Sequence, residues 1–104
     1  QFDLVVLDPP KFAPTAGHVE RASRAYKDIN LLGFKLLAPG GVLATFSCSG
    51  AIDAQLFQRI VAGAAQDART DALIIRRMAA PADHPLRISF PEGEYLKGML
   101  LKRT

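Results

Sequence analysis

Cysteine is nearly absent from this chain, since Cys48 is the only one among 104 residues. A single thiol excludes an intramolecular disulfide framework and a zinc site built from several cysteines. Long apolar runs are also lacking, because no stretch approaches the roughly 18 residues that a membrane-spanning helix needs. The sequence therefore predicts a cytoplasmic location, with no metal site and no membrane partner.

Strong charge is absent as well. Thirteen Lys and Arg residues against ten Asp and Glu give a net charge of +3, which permits an anionic partner without demonstrating one. The composition is that of one ordinary globular domain. The chain has no initiator methionine, and Gln1 leads almost directly into an apolar strand. We interpret the chain as part of a longer protein.

A glycine-rich turn of the kind that holds nucleotide phosphates is missing too. The only adjacent glycines are Gly40 and Gly41, and neither G-x-G-x-x-G nor G-x-x-x-x-G-K-[ST] opens a helix after a strand. The acidic residue that would bind a ribose about 20 residues after such a turn has no anchor either. The sequence therefore predicts no complete nucleotide or adenosine site.

What is present is an alternation of strand and helix patterns. Unbroken apolar runs predict buried strands, and apolar residues at three- and four-residue spacing predict amphipathic helices. Pro39-Gly40-Gly41 is expected to end the first helix, and Ser49 and Asp53 compete as the N-cap of the second. The predicted elements are strand 4–7, helix 18–37, strand 42–46, helix 52–68, strand 73–75, a weak strand 87–90 and strand 95–102.

This order predicts an α/β fold. Strands separated by helices imply right-handed crossovers and a parallel sheet, whereas the final pair, joined without a helix, should be antiparallel. Ligands bind such sheets at the carboxyl ends of the strands. Two polar motifs fall there, Asp8-Pro9-Pro10-Lys11-Phe12 and Ser47-Cys48-Ser49-Gly50, so Asp8 and Cys48 are expected at adjacent strand ends on one edge.

Each of these two residues has a structural and a functional interpretation. Most lone cysteines are small buried hydrophobes, but a helix beginning just after Cys48 would favour the thiolate, the nucleophilic form. Asp8 is either a turn residue beside proline or a carboxyl that binds a ligand. Pro9 and Pro10 would then aim their carbonyls rigidly, and Phe12 would offer a stacking face for a base.

Other candidates are weaker. Arg21, Arg24 and Lys27 form a basic stripe on the first predicted helix, and most such stripes are solvated faces. His84 is a conceivable base for a Cys48–His84 hydrolase, although a loop histidine beside Asp83 and Pro85 is more often structural. Nothing in the surrounding sequence singles out His18, and the segment 95–98 is consistent with a plain core strand.

Five separate motifs together carry a resemblance to a known family. The chain resembles the C-terminal half of the catalytic domain of bacterial large-subunit ribosomal RNA cytosine-5 methyltransferases, which use S-adenosylmethionine and carry an N-terminal PUA domain. The motifs, in chain order, are Asp8 to Phe12, Tyr26-Lys27-Asp28-Ile29-Asn30, Thr45 to Gly50, Ala82-Asp83-His84-Pro85, and Pro91-Glu92-Gly93-Glu94-Tyr95-Leu96-Lys97-Gly98. The resemblance covers residues 1–104.

The resemblance implies a partial Rossmann-like class I methyltransferase fold, comprising strands four to seven and two helices. It implies that Cys48 is the covalent nucleophile that adds to C6 of a flipped-out cytosine. Asp8 would hydrogen-bond the base near N3, and Asp8 and Pro9 would also border the cofactor. Pro9, Pro10, Lys11 and Phe12 would hold the substrate.

The resemblance has one departure and one gap. Related enzymes carry a second cysteine in the Asp-Pro-Pro motif, where this chain has Lys11, so the base that removes the C5 proton is unidentified. The glycine-rich cofactor motif would lie before Gln1. This chain by itself is therefore expected to be inactive and not to bind S-adenosylmethionine normally.

Two alternatives stay open. A guanine amino-group methyltransferase uses similar Asp-Pro-Pro motifs and needs no cysteine. A non-catalytic binding or dimerisation module would retain the motifs without the chemistry, and an exposed sheet edge would lead it to self-associate.

Overall fold

The computed structural model describes residues 1–9, 19–79 and 96–104. Its elements are the strand β1 (Phe2–Leu7), the helix α1 (Val19–Leu36), the strand β2 (Leu37–Ser47), the helix α2 (Ala54–Asp67), and the strands β3 (Ala72–Ala79) and β4 (Lys97–Arg103). The four strands form one sheet in the order β1-β2-β4-β3. The predicted α/β class is confirmed.

β1 and β2 are parallel neighbours joined by α1. Val5 pairs with Leu43 and Leu7 pairs with Thr45, so the inward side chains of both strands share one face of the sheet. The helix α1 lies over one face of these strands, as its helical period predicts. The unbroken apolar run 4–7 predicts a strand buried on both faces, whereas β1 is an edge strand of the described sheet and its other face is exposed. This pairing confirms that the first two strands end at the same edge.

β4 lies between β2 and β3 and is antiparallel to both. β1, β2 and β3 therefore share one direction, which confirms a sheet whose last strand alone is reversed. The predicted partner of this strand, 87–90, lies outside the described residues. β4 pairs instead with β2 and β3, which are distant from it in the sequence. No local sequence pattern indicates such pairings.

The bounds of β2 and β3 differ from those predicted. β2 begins at Leu37, immediately after α1, so Pro39, Gly40 and Gly41 lie within its bounds. Leu37 pairs with Phe2 while Val42 pairs with Leu4, and the surplus residues form an irregularity in which Gly40 has a φ of +80°. Such a conformation suits glycine, which has no Cβ to clash with the backbone.

β3 runs to Ala79 instead of ending at Ile75. Its pairing with β4 shifts register between Ile74 and Arg76, which breaks the period-two pattern by which a strand is recognised in a sequence. Arg76 and Arg77 are both exposed on this edge strand. Charged residues are common on edge strands because they oppose pairing with another chain.

The core fills the space between the sheet and the two helices, which pack against each other. Its buried members include Tyr26, Phe34, Leu37, Leu43, Ile52, Phe57, Ile60, Val61, Met99 and Leu101. At Gly33 an added Cβ would lie 2.9 Å from Cδ1 of Leu7, so the missing side chain lets α1 approach β1 closely. Among the described residues, the helices cover one face only, and Leu4 and Val6 stay 60% and 59% exposed on the other.

Candidate functional site

The carboxyl ends of β1 and β2 bring two polar segments to one edge of the sheet. Asp8 follows Leu7, the last paired residue of β1, and Cys48 lies three positions after its partner Thr45. Both segments leave the sheet in the same direction because the strands are parallel. This edge is where open α/β sheets bind their ligands.

The first segment is described only in part. Asp8 is exposed and Pro9 is half-buried. An exposed carboxylate at a strand end is available to a ligand, and nothing in the described structure commits it to a neighbouring side chain. Pro10, Lys11 and Phe12, the other predicted substrate contacts, lie outside the described residues.

The second segment holds Cys48 half-buried between two buried serines. The backbone N–H of Ser49 donates to Oγ of Ser47 at 3.3 Å, and the N–H of Ile52 donates to the Ser49 carbonyl at 3.3 Å. These bonds shape the turn that leaves β2. The thiol is therefore accessible on a constrained turn, which favours a reactive role over the alternative of a buried filler.

The helix α2 begins later than the proposed activation of the Cys48 thiol by a helix N-terminus requires. Asp53, not Ser49, is the N-cap, and its Oδ1 accepts a hydrogen bond from the Leu56 N–H at 2.7 Å. Cys48 is therefore five positions before the cap rather than next to it. The expectation that the helix begins just after the thiol is wrong, because Asp53 satisfies the first turn.

A cation that the sequence argument passed over lies beside Cys48. Lys97 pairs with Ser47 across β2 and β4, and its Nζ donates to the Ser49 carbonyl at 2.9 Å. Burial lowers the pKa of Lys97, while the negative charges of Cys48 and Asp53 act in the opposite direction and raise it. The positive charge of Lys97 is therefore within electrostatic reach of the thiolate.

The sequence did contain a signal for Lys97. Met99 and Leu101 follow it at period two, and both are only 4% exposed. Lys97 thus shares the inward face of the strand with these two buried apolar residues. A lysine on the core-facing side of a strand needs a specific partner, because burial of an unpaired charge is costly.

A buried polar network lies in the core below this edge of the sheet. Oγ1 of Thr45 donates to Oδ1 of Asn30 at 2.7 Å, and Nδ2 of Asn30 donates to the Tyr26 carbonyl at 2.8 Å. Tyr26 packs edge-to-face on Phe57 of α2, with ring centroids 5.8 Å apart. The network fixes β2 to α1 three residues before Cys48. It also places two residues of the second motif, Tyr26 and Asn30, in the core.

The basic stripe of α1 does not converge on this edge. Arg21 and Arg24 are exposed, and Lys27 forms an ion pair with Asp67 at 3.0 Å that joins the two helices. His18 and His84 lie outside the described residues. Within ranges 1–9, 19–79 and 96–104, no group of three His, Cys, Asp or Glu could hold a metal ion, and neither helix is long and apolar enough to cross a membrane.

Comparison with known proteins gives close relatives over nearly the whole chain. It is 54% identical over 102 residues to the ribosomal RNA large subunit methyltransferase I of Aeromonas salmonicida, and 55% identical over 102 residues to that of Tolumonas auensis. Each match covers 98% of this chain and 26% of the relative. The chain thus spans about a quarter of the length of these relatives. No family model matches it.

Solved structures share the fold at much lower sequence identity. One is a protein assigned as a methyltransferase, in complex with SAH, with a TM-score of 0.68 and 17% identity over 96% of this chain and 26% of its own. Another, assigned as a SAM-dependent methyltransferase from Streptococcus mutans, has a TM-score of 0.66, 17% identity and coverage of 96% and 25%. The partial Rossmann-like fold expected from the sequence is therefore confirmed.

Proposed function

We propose that this chain, residues 1–104, is the C-terminal part of the catalytic domain of an S-adenosylmethionine-dependent methyltransferase that acts on C5 of a cytosine in large-subunit ribosomal RNA. The observation that carries the proposal is the parallel pairing of β1 with β2, which directs Asp8 and the half-buried Cys48 from one sheet edge. The relatives, which are named ribosomal RNA large subunit methyltransferase I, support the reaction class and the RNA substrate.

In this proposal Cys48 acts as the nucleophile. Its thiolate Sγ adds to C6 of the cytosine, and the electron pair of the C5–C6 double bond moves onto C5, which becomes able to take a methyl group. After methylation, C5 loses its proton, the double bond re-forms and Cys48 leaves as the thiolate. S-adenosylmethionine would supply the methyl group.

Asp8 and the residues after it complete the proposed site. A carboxyl at the end of β1 would hydrogen-bond the base near N3 and favour the addition, and the Pro9 and Pro10 carbonyls would orient its exocyclic amino group. Lys11 and Phe12 would hold a phosphate and the base face. The exposed Asp8 and half-buried Pro9 fit a border with the cofactor, whose other contacts would come from residues outside this chain.

Covalent trapping tests the nucleophile. In the full-length protein, RNA carrying 5-fluorocytosine should form a denaturation-resistant adduct on Cys48, because fluorine at C5 cannot leave as a proton and the thioether persists. The Cys48→Ala variant should form none and should lose methyl transfer by at least about 100-fold. The matched control is Ser49→Ala, which changes a neighbouring residue of the same turn and leaves the thiol in place.

Two results would contradict the proposal. Near-normal methylation of ribosomal RNA by Cys48→Ala would exclude the covalent route. Methyl transfer to a guanine amino group, identified by mass spectrometry of nucleosides, would assign the protein to the class that needs no cysteine.

Titration calorimetry of the isolated chain with S-adenosylmethionine should show no binding, and a micromolar dissociation constant would overturn the proposed division of the cofactor site.

A further inference from the structure

We propose that Lys97 is a positioning residue for Cys48, fixing the turn that carries the thiol and stabilising the thiolate with its ammonium group. This inference rests on the proposed function, because it assigns Cys48 a reaction in which the thiolate is the reactive form. It concerns a residue on β4, an element that joins the edge from the far end of the chain.

The β2–β4 ladder holds Lys97 beside the turn that carries Cys48. Lys97 lies directly opposite Ser47 at the end of the β2–β4 ladder, so its backbone is fixed next to the residue preceding Cys48. Its Nζ then reaches past Cys48 to the Ser49 carbonyl at 2.9 Å. One side chain thereby spans the turn, with a fixed point on each side of the thiol.

Further support comes from the backbone of the turn. The Ser49 carbonyl accepts from both Lys97 Nζ and the Ile52 N–H. Ser49 and Ile52 are fully buried, and Asp53 caps α2 immediately afterwards. The turn is therefore held at its start by the sheet, at its middle by Lys97 and at its end by the helix cap, while Cys48 stays partly accessible to solvent.

The remaining support is electrostatic. The charged groups that act on Lys97 among the described residues are Cys48 and Asp53, both of which favour its cationic form, whereas burial opposes that form. The same electrostatic attraction acts between the ammonium group of Lys97 and the thiolate form of Cys48. Asp53 is partly committed to the Leu56 N–H at the helix cap. Lys97 therefore replaces the helix N-terminus as the source of positive charge at the thiol.

The test measures the thiol directly and needs no methylation. In the full-length protein, the rate of iodoacetamide alkylation of Cys48 is followed from pH 6 to pH 10 by mass spectrometry of its peptide. In Lys97→Met the alkylation rate at neutral pH should fall roughly tenfold, because the turn that presents Cys48 loses the ammonium group. The matched control is Lys102→Met, which removes an exposed lysine five positions along the same strand.

A second variant tests whether the positive charge of Lys97 accounts for the effect. Lys97→Arg keeps a cation at this position and should restore most of the wild-type alkylation rate. A folded Lys97→Met protein with the wild-type rate would overturn the proposal, as would an equal loss of rate in Lys102→Met. Circular dichroism establishes that each variant is folded before its profile is read.

A reciprocal measurement applies even if Lys97→Met fails to fold. In Cys48→Ala no thiolate raises the pKa of Lys97, so labelling of its amine by acetic anhydride at alkaline pH, where thiols ionise, should be about two- to tenfold faster than in the wild type. An unchanged rate would overturn the inference. Methylation by Cys48→Ala is a separate readout, so failure of the proposed function is distinguishable from failure of the Lys97 assignment.

Discussion

The hydroxyl of Thr45 and the side-chain amide of Asn30 meet in the core, with Oγ1 donating to Oδ1 at 2.7 Å and both residues at most 1% exposed. Thr45→Val keeps the shape of the side chain and leaves the Asn30 oxygen without this donor. We expect the free energy of unfolding to fall by about 1–3 kcal/mol, the cost of an unsatisfied buried acceptor. Urea denaturation followed by circular dichroism measures the change.

Thr70→Val is the matched control for that variant. The Thr70 hydroxyl donates to the Ala68 carbonyl at 3.2 Å in a part-buried turn, where water can replace the lost bond. Its effect should stay within about 0.5 kcal/mol, as for most surface substitutions. Equal losses for the two variants would show that the buried network has no special weight.

Gly98 is required by the ring of Phe46. An added Cβ at Gly98 would lie 2.5 Å from Cδ1 and 2.7 Å from Cε1 of Phe46, its partner across the β2–β4 ladder. Gly98→Ala should therefore destabilise the protein by about 1–3 kcal/mol, as for other overpacked sites. Thermal unfolding checks the direction.

A double-mutant cycle isolates the cause of that loss. Phe46→Leu removes the clashing ring, so Gly98→Ala should cost less in the Phe46→Leu background, with a coupling energy of at least about 0.5 kcal/mol. Strictly additive losses would place the strain elsewhere, for instance at the Thr45 carbonyl, 3.2 Å from the same Cβ position.

The alkaline stability of the protein should depend on Lys97. Burial lowers its pKa below the ordinary 10.5, so the unfolded chain binds more protons than the folded one between the two values. The penalty for the buried charge is fully present below the folded pKa and is removed as the pH rises toward the unfolded pKa. Stability from Lys97 should therefore increase with pH in that window.

The measurement is the difference in unfolding free energy between the wild type and Lys97→Met, taken at intervals up to pH 10.5. Titrating groups that do not interact with Lys97 cancel in this difference. We expect it to shift in favour of the wild type as the pH rises. A flat difference, or one that moves in favour of Lys97→Met, would contradict the assigned direction of the pKa.

Self-association of the isolated chain stays a prediction. β1 is an edge strand of the described sheet, and Leu4 and Val6 are exposed on its uncovered face. Sedimentation velocity over a wide concentration range should show dimers or larger species, and Val6→Lys should shift them toward monomer because a charge on an edge strand opposes pairing. Monomers alone at all concentrations would contradict the prediction and weaken the alternative of a dimerisation module.

The sequence predicted those parts of the fold that depend on local pattern. The apolar run 4–7 and the helical spacing of α1 are local signals, and they suffice for the parallel β1–β2 unit and for the edge shared by Asp8 and Cys48. The position of β4 depends on pairing with Val42 to Ser47 and with β3, contacts between distant segments. The same long-range contacts bring Lys97 to Cys48. Neither the position of β4 in the sheet nor the place of Lys97 could therefore be predicted from local sequence pattern.

The N-cap of α2 is the other feature that local sequence left open. Ser49 and Asp53 are both good N-cap residues, and the choice between them depends on where the turn is held. Ser49 is buried and its carbonyl is committed to Lys97 and Ile52, so the helix begins after Asp53. A tertiary contact thus decided a helix boundary that propensity left undecided.

The central place of β4 makes the order of synthesis matter. A ribosome delivers β1, β2 and β3 before β4, and within the described part of the chain β4 is the strand with which β3 forms its ladder. Among these four strands, β1 and β2 can pair early, whereas β3 joins them only when Lys97–Arg103 inserts between β2 and β3. Loss of these seven residues would divide the sheet rather than trim its edge.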